Sequence, residues 1–251
     1  MKKQPIVLGL PGLHCADEPS RIDELLQILR TEGIQVKRVN FSSVTREDKK
    51  IRCAFSLNQY LHDINTAFKE IEEDTSLDTQ HIGIIASSIS ALFIAYYLTN
   101  VPQHLPLPRC YASISPLPGW DYFVTPRVRE MLLTNEEGIN LSSRHDKKRG
   151  IVRYIPLEGK EEIQRKDALR MLRGFDNNGC DILTIMGTQD TISDQRAMRE
   201  YHIYLGGKKE NLLAYEAEHD IPQENYREEL LTFFKKNLLE LEQRDISIFV
   251  K

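Results

Sequence analysis

The feature that most constrains the fold of this 251-residue chain is its alternation of short apolar runs with segments of helical periodicity. Each apolar run is bounded by turn or cap residues, which is typical of a buried strand. In the segments between, apolar residues recur every three or four positions, which is typical of helices that bury one face. The alternation predicts an α/β fold, with a mostly parallel, doubly wound sheet and helices on both faces. The predicted strands are PIVLGL, IQVKRVNF, HIGIIA, CYASIS, DILTIM and NLLAYEA, and helices are predicted to start near residues 20, 55, 89, 160, 193 and 223.

Composition narrows the class of protein and the partners to expect. With 41% hydrophobic and 28% charged residues, the chain belongs with soluble globular proteins, and residues 1–251 are predicted to form one domain. A net charge of −4 gives no reason to expect nucleic acid or an anionic membrane as a partner. No stretch approaches the roughly 20 apolar residues that span a membrane. We therefore expect no integral membrane association.

The cysteines and the N-terminal segment bear on the compartment. The four cysteines are Cys15, Cys53, Cys110 and Cys180. They form no CxxC pair, which argues against a zinc ribbon or a dithiol redox motif and is typical of buried thiols in a reducing compartment. The N-terminal segment imitates a signal peptide, but Pro11 and Gly12 interrupt its short apolar run. We expect a strand followed by a loop there, a cytoplasmic location and no metal site.

Three serines stand at the junction between the third predicted strand and the helix that follows it. A nucleophile elbow places its serine on a tight strand-to-helix turn, so the residues two before and two after it must be small. For Ser87 and for Ser90 at least one of these flanking residues is a bulky isoleucine or leucine, whereas Ser88 lies between Ala86 and Ser90. Ser88 is therefore the candidate nucleophile. On this segment alone, a serine that merely caps the helix is the alternative interpretation.

Residues that could activate Ser88 follow later strands, where a parallel sheet collects its chemistry at the carboxyl ends. On this type of sheet the acid follows the serine and the histidine comes last. Asp190 lies just beyond the strand DILTIM, and His219 just beyond the last strand. Asp181 stands at the opposite end of that strand and should point away, while Asp194 is near enough to remain a substitute. The predicted triad is Ser88, Asp190 and His219.

An acyl-transfer site also needs donors for the oxyanion. The backbone N–H of Ile89 is one candidate, because it follows the serine at a helix N-terminus, where the dipole favours negative charge. The backbone N–H of Leu13, in the loop after the first strand, is the other. Because the backbone supplies both hydrogen bonds, the two side chains themselves matter little.

Ser88, Asp190 and His219, in this order and preceded by the loop Pro11-Gly12, resemble the α/β-hydrolase superfamily. The closest similarity is to its small esterase, lysophospholipase and serine-aminopeptidase-like branch. The resemblance covers nearly the whole chain. It implies a serine hydrolase that cleaves an ester, thioester or amide of a small-molecule acyl substrate through an acyl-enzyme, with no metal and no organic cofactor. A homodimer is left open.

The same resemblance implies that residues 117–180, which interrupt the alternation, take the place of the superfamily's variable cap or lid. This segment contains the charged run SSRHDKKRG, interpreted as a solvated loop, and a helical pattern near residues 160–173. Its first part carries side chains that could line an acyl pocket or hold an anionic head group. These are Trp120, Tyr122, Phe123, Arg127 and Arg129. Core packing of the aromatics and solvation of the arginines is the alternative interpretation.

The sequence departs from the superfamily pattern in three places. The first loop has Pro11-Gly12 where His-Gly is usual, the elbow lacks both glycines of Gly-x-Ser-x-Gly, and Ser87 replaces a histidine often found before the nucleophile. None of these departures removes a catalytic group, and together they indicate a divergent subfamily. Two alternatives stay open: a non-catalytic binding scaffold with the same fold, and an acyltransferase that uses the same pocket.

Overall fold

The computed structural model describes residues 3–12, 20–42, 44–47, 50–53, 57–100, 108–119, 122, 139–140, 152–155, 167–173, 177 and 179–240. Its strands, in chain order, are β1 (Gln4–Leu10), β2 (Gln35–Arg38), β3 (Val44–Glu47), β4 (Lys50–Cys53), β5 (Leu77–Ser87), β6 (Cys110–Ile114), β7 (Ile139–Asn140), β8 (Val152–Ile155), β9 (Asp181–Gly187) and β10 (Leu212–Tyr215). Its α-helices are α1 (Arg21–Thr31), α2 (Leu57–Glu73), α3 (Ser90–Asn100), α4 (Ala168–Met171), α5 (Gln195–Tyr204) and α6 (Arg227–Leu238).

Six strands form the main sheet, in the order β10-β9-β6-β5-β1-β2, and all of its neighbouring strands run parallel. The predicted parallel, doubly wound sheet is confirmed. Strand β5 begins at Leu77, four residues before the predicted start at His81, because Leu77 already pairs with Gln4 of β1. The helix predicted near residues 160–173 is present at Ala168–Met171, and residues 160–166 lie outside the described part of the chain.

The two faces of the sheet bury separate apolar layers. Along β1, Leu8 and Leu10 face one layer and Val7 the other, as the two-residue period of a strand requires. Helices α2, α3 and α5 cover the first layer through buried aromatics such as Phe93. Helices α1 and α6 cover the second, where Phe234 is fully buried. This double cover leaves the strand ends as the accessible part of the sheet.

Helix α1 shows how local chemistry fixes the start of a covering helix. The predicted cap, Ser20, accepts a hydrogen bond from the Asp23 N–H, and the Asp23 carboxylate accepts the Ser20 N–H at 2.7 Å. This reciprocal pair is a capping box, which satisfies N–H groups that the first helical turn leaves without partners. Among the helices of the described residues, none is long and apolar enough to cross a bilayer.

A second, four-stranded sheet has the order β3-β4-β8-β7 and was not predicted. Strands β3 and β4 form an antiparallel hairpin, and β4 pairs in parallel with β8, with Lys50 opposite Val152. The sheet thus joins a segment before α2 to one inside residues 117–180. No local sequence pattern predicts this sheet, because its strands are very short and the β4–β8 pairing connects segments far apart in the chain. The assignment of residues 117–180 to a cap remains a prediction.

Candidate active site

Ser88 occupies a strained turn between β5 and α3. Its φ is +53°, a left-handed conformation that serine rarely adopts. The Ser88 N–H donates to the Ile114 carbonyl at 3.0 Å, and the Ser88 carbonyl accepts from the N–H groups of Ala91 and Leu117, both at 3.0 Å. Backbone contacts on both sides therefore hold the turn. This is the geometry of a nucleophile elbow, which lifts the serine hydroxyl above the sheet.

The residues that replace the usual elbow glycines are packed into the turn. Ala86 and Ser90 are both fully buried, and Ser90 Oγ donates to the Pro11 carbonyl at 2.5 Å. A Cβ placed on Gly12 would lie 3.4 Å from the Ser88 Cβ. The loop after β1 therefore runs directly against the elbow. Ser90 thus makes a bond to this loop that a glycine in its place could not make.

His219 and Asp190 complete a hydrogen-bonded chain to Ser88. His219 Nε2 lies 3.0 Å from Ser88 Oγ, and His219 Nδ1 lies 2.8 Å from Asp190 Oδ2. Because a carboxylate can only accept, Nδ1 carries the proton and Nε2 presents its lone pair to the serine hydroxyl. The Asp190 side chain is fully buried and that of His219 is 13% exposed. The arrangement can take a proton from Ser88 while holding the imidazole in one tautomer.

Backbone groups also orient the Asp190 carboxylate. Asp190 Oδ1 accepts the N–H groups of Ile192 at 2.7 Å and Ser193 at 2.8 Å. Together with the bond from His219, these contacts satisfy both carboxylate oxygens, as a buried charge requires. The turn after β9 thereby aims Oδ2 at the imidazole.

The His219 loop lies close against the end of β9. A Cβ on Gly187 would collide with the carbonyl oxygens of Ala217 and Glu218, so only glycine permits this approach. The Gln189 N–H also donates to the Ala217 carbonyl at 2.9 Å. These contacts bring together the strand ends that carry Asp190 and His219.

The other candidates lie elsewhere. Asp194, the predicted substitute acid, caps α5 by accepting the Ala197 N–H at 3.0 Å, so it is committed to the helix and does not serve His219. Asp181 stands at the start of β9 and pairs with Lys208 at 3.3 Å, away from the triad as expected.

His202, which falls inside a predicted helix, is buried on α5 and bonds to Thr184 Oγ1 and to the Lys208 carbonyl. Burial lowers the pKa of His202 below its usual value.

Of the two predicted oxyanion donors, Ile89 is described and Leu13 lies outside the described residues. Ile89 follows Ser88 immediately before α3, so its N–H belongs to the first turn, where no earlier helical carbonyl accepts it.

The predicted cap supplies the aromatic and basic candidates. Four of them lie outside the described part of the chain: Trp120, Phe123, Arg127 and Arg129. Tyr122 is described, and its hydroxyl donates to Asp167 Oδ2 at 3.0 Å. In the described ranges, no group of three or more His, Cys, Asp or Glu side chains could hold a metal ion.

Hydrogen bonds from two buried tyrosines also hold the first turn of α3 in place. Tyr201 Oη donates to the Ala91 carbonyl at 2.9 Å, and Tyr111 Oη lies 2.9 Å from Tyr201 Oη. Burial raises the pKa of both phenols above their usual value, so both stay protonated and able to donate. The helix that begins beside Ser88 is therefore anchored to both β6 and α5.

Comparisons with known proteins find relatives by structure only. No protein-family model matches the chain, and no curated protein is similar in sequence. A monoacylglycerol lipase from Paleococcus ferrophilus superposes with a TM-score of 0.66 and 16% identity, covering 94% of this chain and 97% of that one. The α/β hydrolase GrgF from Penicillium sp. sh18 gives a TM-score of 0.67 and 11% identity, with 94% and 91% covered. A puromycin-hydrolysing peptidase from Mycobacterium tuberculosis gives 0.64 and 14%, with 94% of this chain and 35% of that one covered.

These solved structures agree with the architecture of the chain itself. This chain has the parallel order β10-β9-β6-β5-β1-β2 with helices on both faces, and the lipase and GrgF each superpose on 94% of it. The strained serine after β5 stands at the carboxyl edge of that sheet, where such sheets carry their chemistry. The chain therefore has the α/β-hydrolase fold.

Proposed function

We propose that this protein is a serine hydrolase that cleaves the acyl bond of a small-molecule substrate through an acyl-enzyme. The observation that carries the proposal is the continuous chain from Ser88 Oγ through the His219 imidazole to Asp190, with contacts of 3.0 Å and 2.8 Å. A serine needs such a base to become nucleophilic, and the base needs an acid to fix its tautomer. The retention of all three residues, with a strained backbone at Ser88 and a buried Asp190, counts against a non-catalytic binding scaffold.

In the acylation half-reaction, Ser88 Oγ bonds to the substrate's acyl carbon while its proton passes to His219 Nε2. The imidazolium that forms is stabilised by the Asp190 carboxylate. The negative charge on the former carbonyl oxygen is met by the Ile89 N–H and the positive end of α3. When the tetrahedral intermediate collapses, the leaving alcohol, thiol or amine takes the proton from Nε2, and the acyl group remains on Ser88.

Deacylation repeats these steps with water as the nucleophile. His219 Nε2 takes one proton from a water molecule as its oxygen bonds to the acyl carbon. Collapse of the second intermediate breaks the bond to Ser88 Oγ, and the proton on Nε2 returns to that oxygen. The products are a carboxylic acid and the free enzyme, so no oxidant, metal or organic cofactor enters the balance.

The type of acyl bond is the open part of the proposal. The solved neighbours include a lipase and a peptidase, so one fold hosts both ester and amide hydrolysis. Chromogenic esters, thioesters and anilides of matched acyl chains would rank the three bond types by kcat/KM. Hydrolysis of the activated esters tests the mechanism, and the ranking tests the substrate class.

Labelling by a fluorophosphonate probe tests the nucleophile. We expect wild-type protein to take up one probe on the peptide that contains Ser88, and Ser88→Ala to take up none. Ser87→Ala is the matched control, because it removes the adjacent hydroxyl and leaves the elbow serine. Ser87→Ala should label at a rate within about three-fold of wild type, since it removes no group of the triad.

Two results would count against the proposal. Folded wild-type protein that takes up no probe would show that the serine is not activated, which favours a non-catalytic scaffold. Label that stays in Ser88→Ala and disappears in Ser87→Ala would assign the nucleophile to the wrong serine. Ester assays run with and without added alcohol, thiol and amine acceptors would test for acyl transfer, since an acyltransferase needs an acceptor for fast turnover and a hydrolase does not.

A further inference from the structure

Strand β6 separates the nucleophile from the acid and base in the sheet. Ser88 follows β5 on one side of β6, whereas Asp190 and His219 follow β9 and β10 on the other side. The loop that leaves the carboxyl end of β6 therefore runs between the two halves of the triad. Its first residue, Ser115, is the second non-glycine residue of the described chain with a positive φ, at +45°.

Ser115 is buried, with 2% of its surface exposed, and its hydroxyl is committed to the base. Ser115 Oγ donates to the backbone carbonyl of His219 at 2.6 Å. The Ser115 N–H donates in turn to the Ile185 carbonyl of β9 at 2.8 Å. The N–H and the hydroxyl of this strained residue thus each have a partner, and the hydroxyl is directed at the residue that carries the imidazole.

The same segment also forms hydrogen bonds with the backbone of Ser88. Ile114, directly before Ser115, accepts the Ser88 N–H at 3.0 Å, and Leu117, two residues after it, donates its N–H to the Ser88 carbonyl at 3.0 Å. Residues 114–117 therefore bond to the peptide groups of Ser88 and of His219 at once. One short loop sets the separation of the two residues whose side chains must exchange a proton.

We propose that Ser115 is a positioning residue, whose hydroxyl holds the His219 backbone so that Nε2 stays within hydrogen-bond reach of Ser88 Oγ. This inference rests on the proposed serine-hydrolase function. Proton transfer is sensitive to distance, and a displacement of about 1 Å can cost on the order of 100-fold in rate. No other side-chain hydrogen bond within the described residues reaches the backbone of His219.

The test compares Ser115→Ala and Ser115→Gly with wild type on a chromogenic ester. Both variants lose the hydroxyl, but glycine also relieves the strain of the positive φ, so Ser115→Gly should be at least as stable as Ser115→Ala. We expect kcat to fall about 10-fold or more in both variants, with KM within about two-fold of wild type. A purely structural role would instead let the loss of activity follow the loss of stability.

Ser113→Ala is the matched control. Ser113 lies two residues earlier in β6 and is equally buried, but its hydroxyl lies 3.1 Å from Thr184 Oγ1 and not against the His219 loop. This variant also removes one buried serine hydroxyl, from the strand that leads directly into the Ser115 loop. Its kcat should stay within about three-fold of wild type, whatever happens to its stability.

A double mutant tests whether Ser115 acts through the base. If it does, Ser115→Ala should not slow the residual fluorophosphonate labelling of a His219→Ala protein any further, because the group it positions is gone. Equal slowing in the wild-type and His219→Ala backgrounds would overturn the inference. An unchanged kcat in both Ser115 variants would overturn it too.

Failure of the inference is distinguishable from failure of the proposed function. If wild-type protein labels at Ser88 and both Ser115 variants label at the wild-type rate, the serine-hydrolase proposal is kept and the positioning role of Ser115 is rejected. Wild-type protein that does not label at all rejects both. A circular dichroism spectrum and a melting curve for each variant separate either result from misfolding.

Discussion

At Ser88, backbone strain coincides with the proposed catalytic role. A non-glycine residue in the left-handed region costs about 1–2 kcal/mol, and it persists only where neighbouring bonds enforce it. Three backbone hydrogen bonds, to Ile114, Ala91 and Leu117, do so here. What the strain achieves is to hold Oγ 3.0 Å from His219 Nε2. A serine that merely capped α3 would have no need of this conformation.

Replacing the acid should abolish most of the activity without unfolding the protein. In Asp190→Asn, an amide oxygen can still accept the Ile192 and Ser193 N–H groups, but the NH₂ group then faces His219 Nδ1. That contact favours the tautomer with the proton on Nε2, which cannot take a proton from Ser88. We expect kcat to fall about 10³- to 10⁴-fold, as measured by steady-state ester hydrolysis.

Asp194→Ala is the control for this experiment. Because Asp194 caps α5, its replacement should lower the free energy of unfolding by about 1 kcal/mol and leave kcat nearly unchanged. If Asp194→Ala lost activity as severely as Asp190→Asn, the assignment of the acid would be wrong.

The hydroxyl of Ser90 is predicted to stabilise the loop after β1. Ser90→Ala leaves the buried Pro11 carbonyl without its 2.5 Å donor, so we expect a loss of about 1–3 kcal/mol in the free energy of unfolding. Urea denaturation followed by circular dichroism would measure it. Unchanged stability in Ser90→Ala would show that this hydroxyl does not tie the loop to the elbow.

At the scale of the element, the contact between the end of β9 and the His219 loop requires a residue without a side chain at Gly187. Gly187→Ala would drive a methyl group into the carbonyl oxygens of Ala217 and Glu218, pushing the loop off the strand end. We expect both lower stability and a kcat reduced by about 10-fold or more, since His219 moves with that loop. Thermal melting and ester kinetics on the same protein would record the two effects.

Gly33→Ala separates this effect from ordinary glycine replacement. Gly33 lies after α1 at φ +84°, and nothing lies within 4 Å of where its Cβ would be. Alanine there should cost about 1–2 kcal/mol of backbone strain and leave kcat unchanged. Equal loss of kcat in Gly33→Ala and Gly187→Ala would contradict a local effect on the triad.

Helix α5 introduces a pH dependence of stability through His202. Burial lowers the folded-state pKa of His202, whereas in the unfolded chain it is about 6.5. As the pH falls below about 6.5, the unfolded state binds a proton that the folded state does not, so this residue makes the protein less stable. The slope from this one group is at most about 1.4 kcal/mol per pH unit.

His202→Gln should remove that contribution. Urea midpoints measured between about pH 5 and pH 8 should fall less steeply toward acid in the variant than in wild type. Parallel curves for the two proteins would show that His202 takes up its proton equally well when folded. Burial would then not lower the folded-state pKa of His202.

At the scale of the whole molecule, what could be predicted from the sequence depends on how local each signal is. The alternation of apolar runs and the small residues beside Ser88 are local, so the parallel sheet and the elbow serine followed from them. Chain order then pointed to Asp190 and His219. These three residues are joined by hydrogen bonds, while the roles assigned to them stay predictions.

The features that were missed depend on contacts between distant residues. Ser115 bonds to a carbonyl 104 residues further along the chain, and its only trace in the sequence is a polar residue at the end of an apolar strand. The sheet that joins β4 to β8 likewise has no local signature. A carboxylate near a strand end, such as Asp194, also cannot be told from a helix cap until the helix start is known.

The prediction that residues 117–180 form a cap also concerns the whole molecule, and part of it can be tested directly. Limited proteolysis with and without a bound fluorophosphonate tests the part of that prediction that concerns residues 117–150. If this segment closes over Ser88 as a lid, the covalent adduct should change the cleavage pattern within it. Identical patterns would count against a mobile lid and leave the triad unaffected.

The most direct test of the central claim is capture of the acyl-enzyme. Wild-type protein would be mixed with p-nitrophenyl acetate, quenched in acid during the first turnover and mapped by peptide mass spectrometry. We predict one acetyl group on Ser88, formed together with a burst of p-nitrophenol and absent from Ser88→Ala. Release of p-nitrophenol without acetylation of Ser88, or an acetyl group on Ser87 or Ser90, would contradict it.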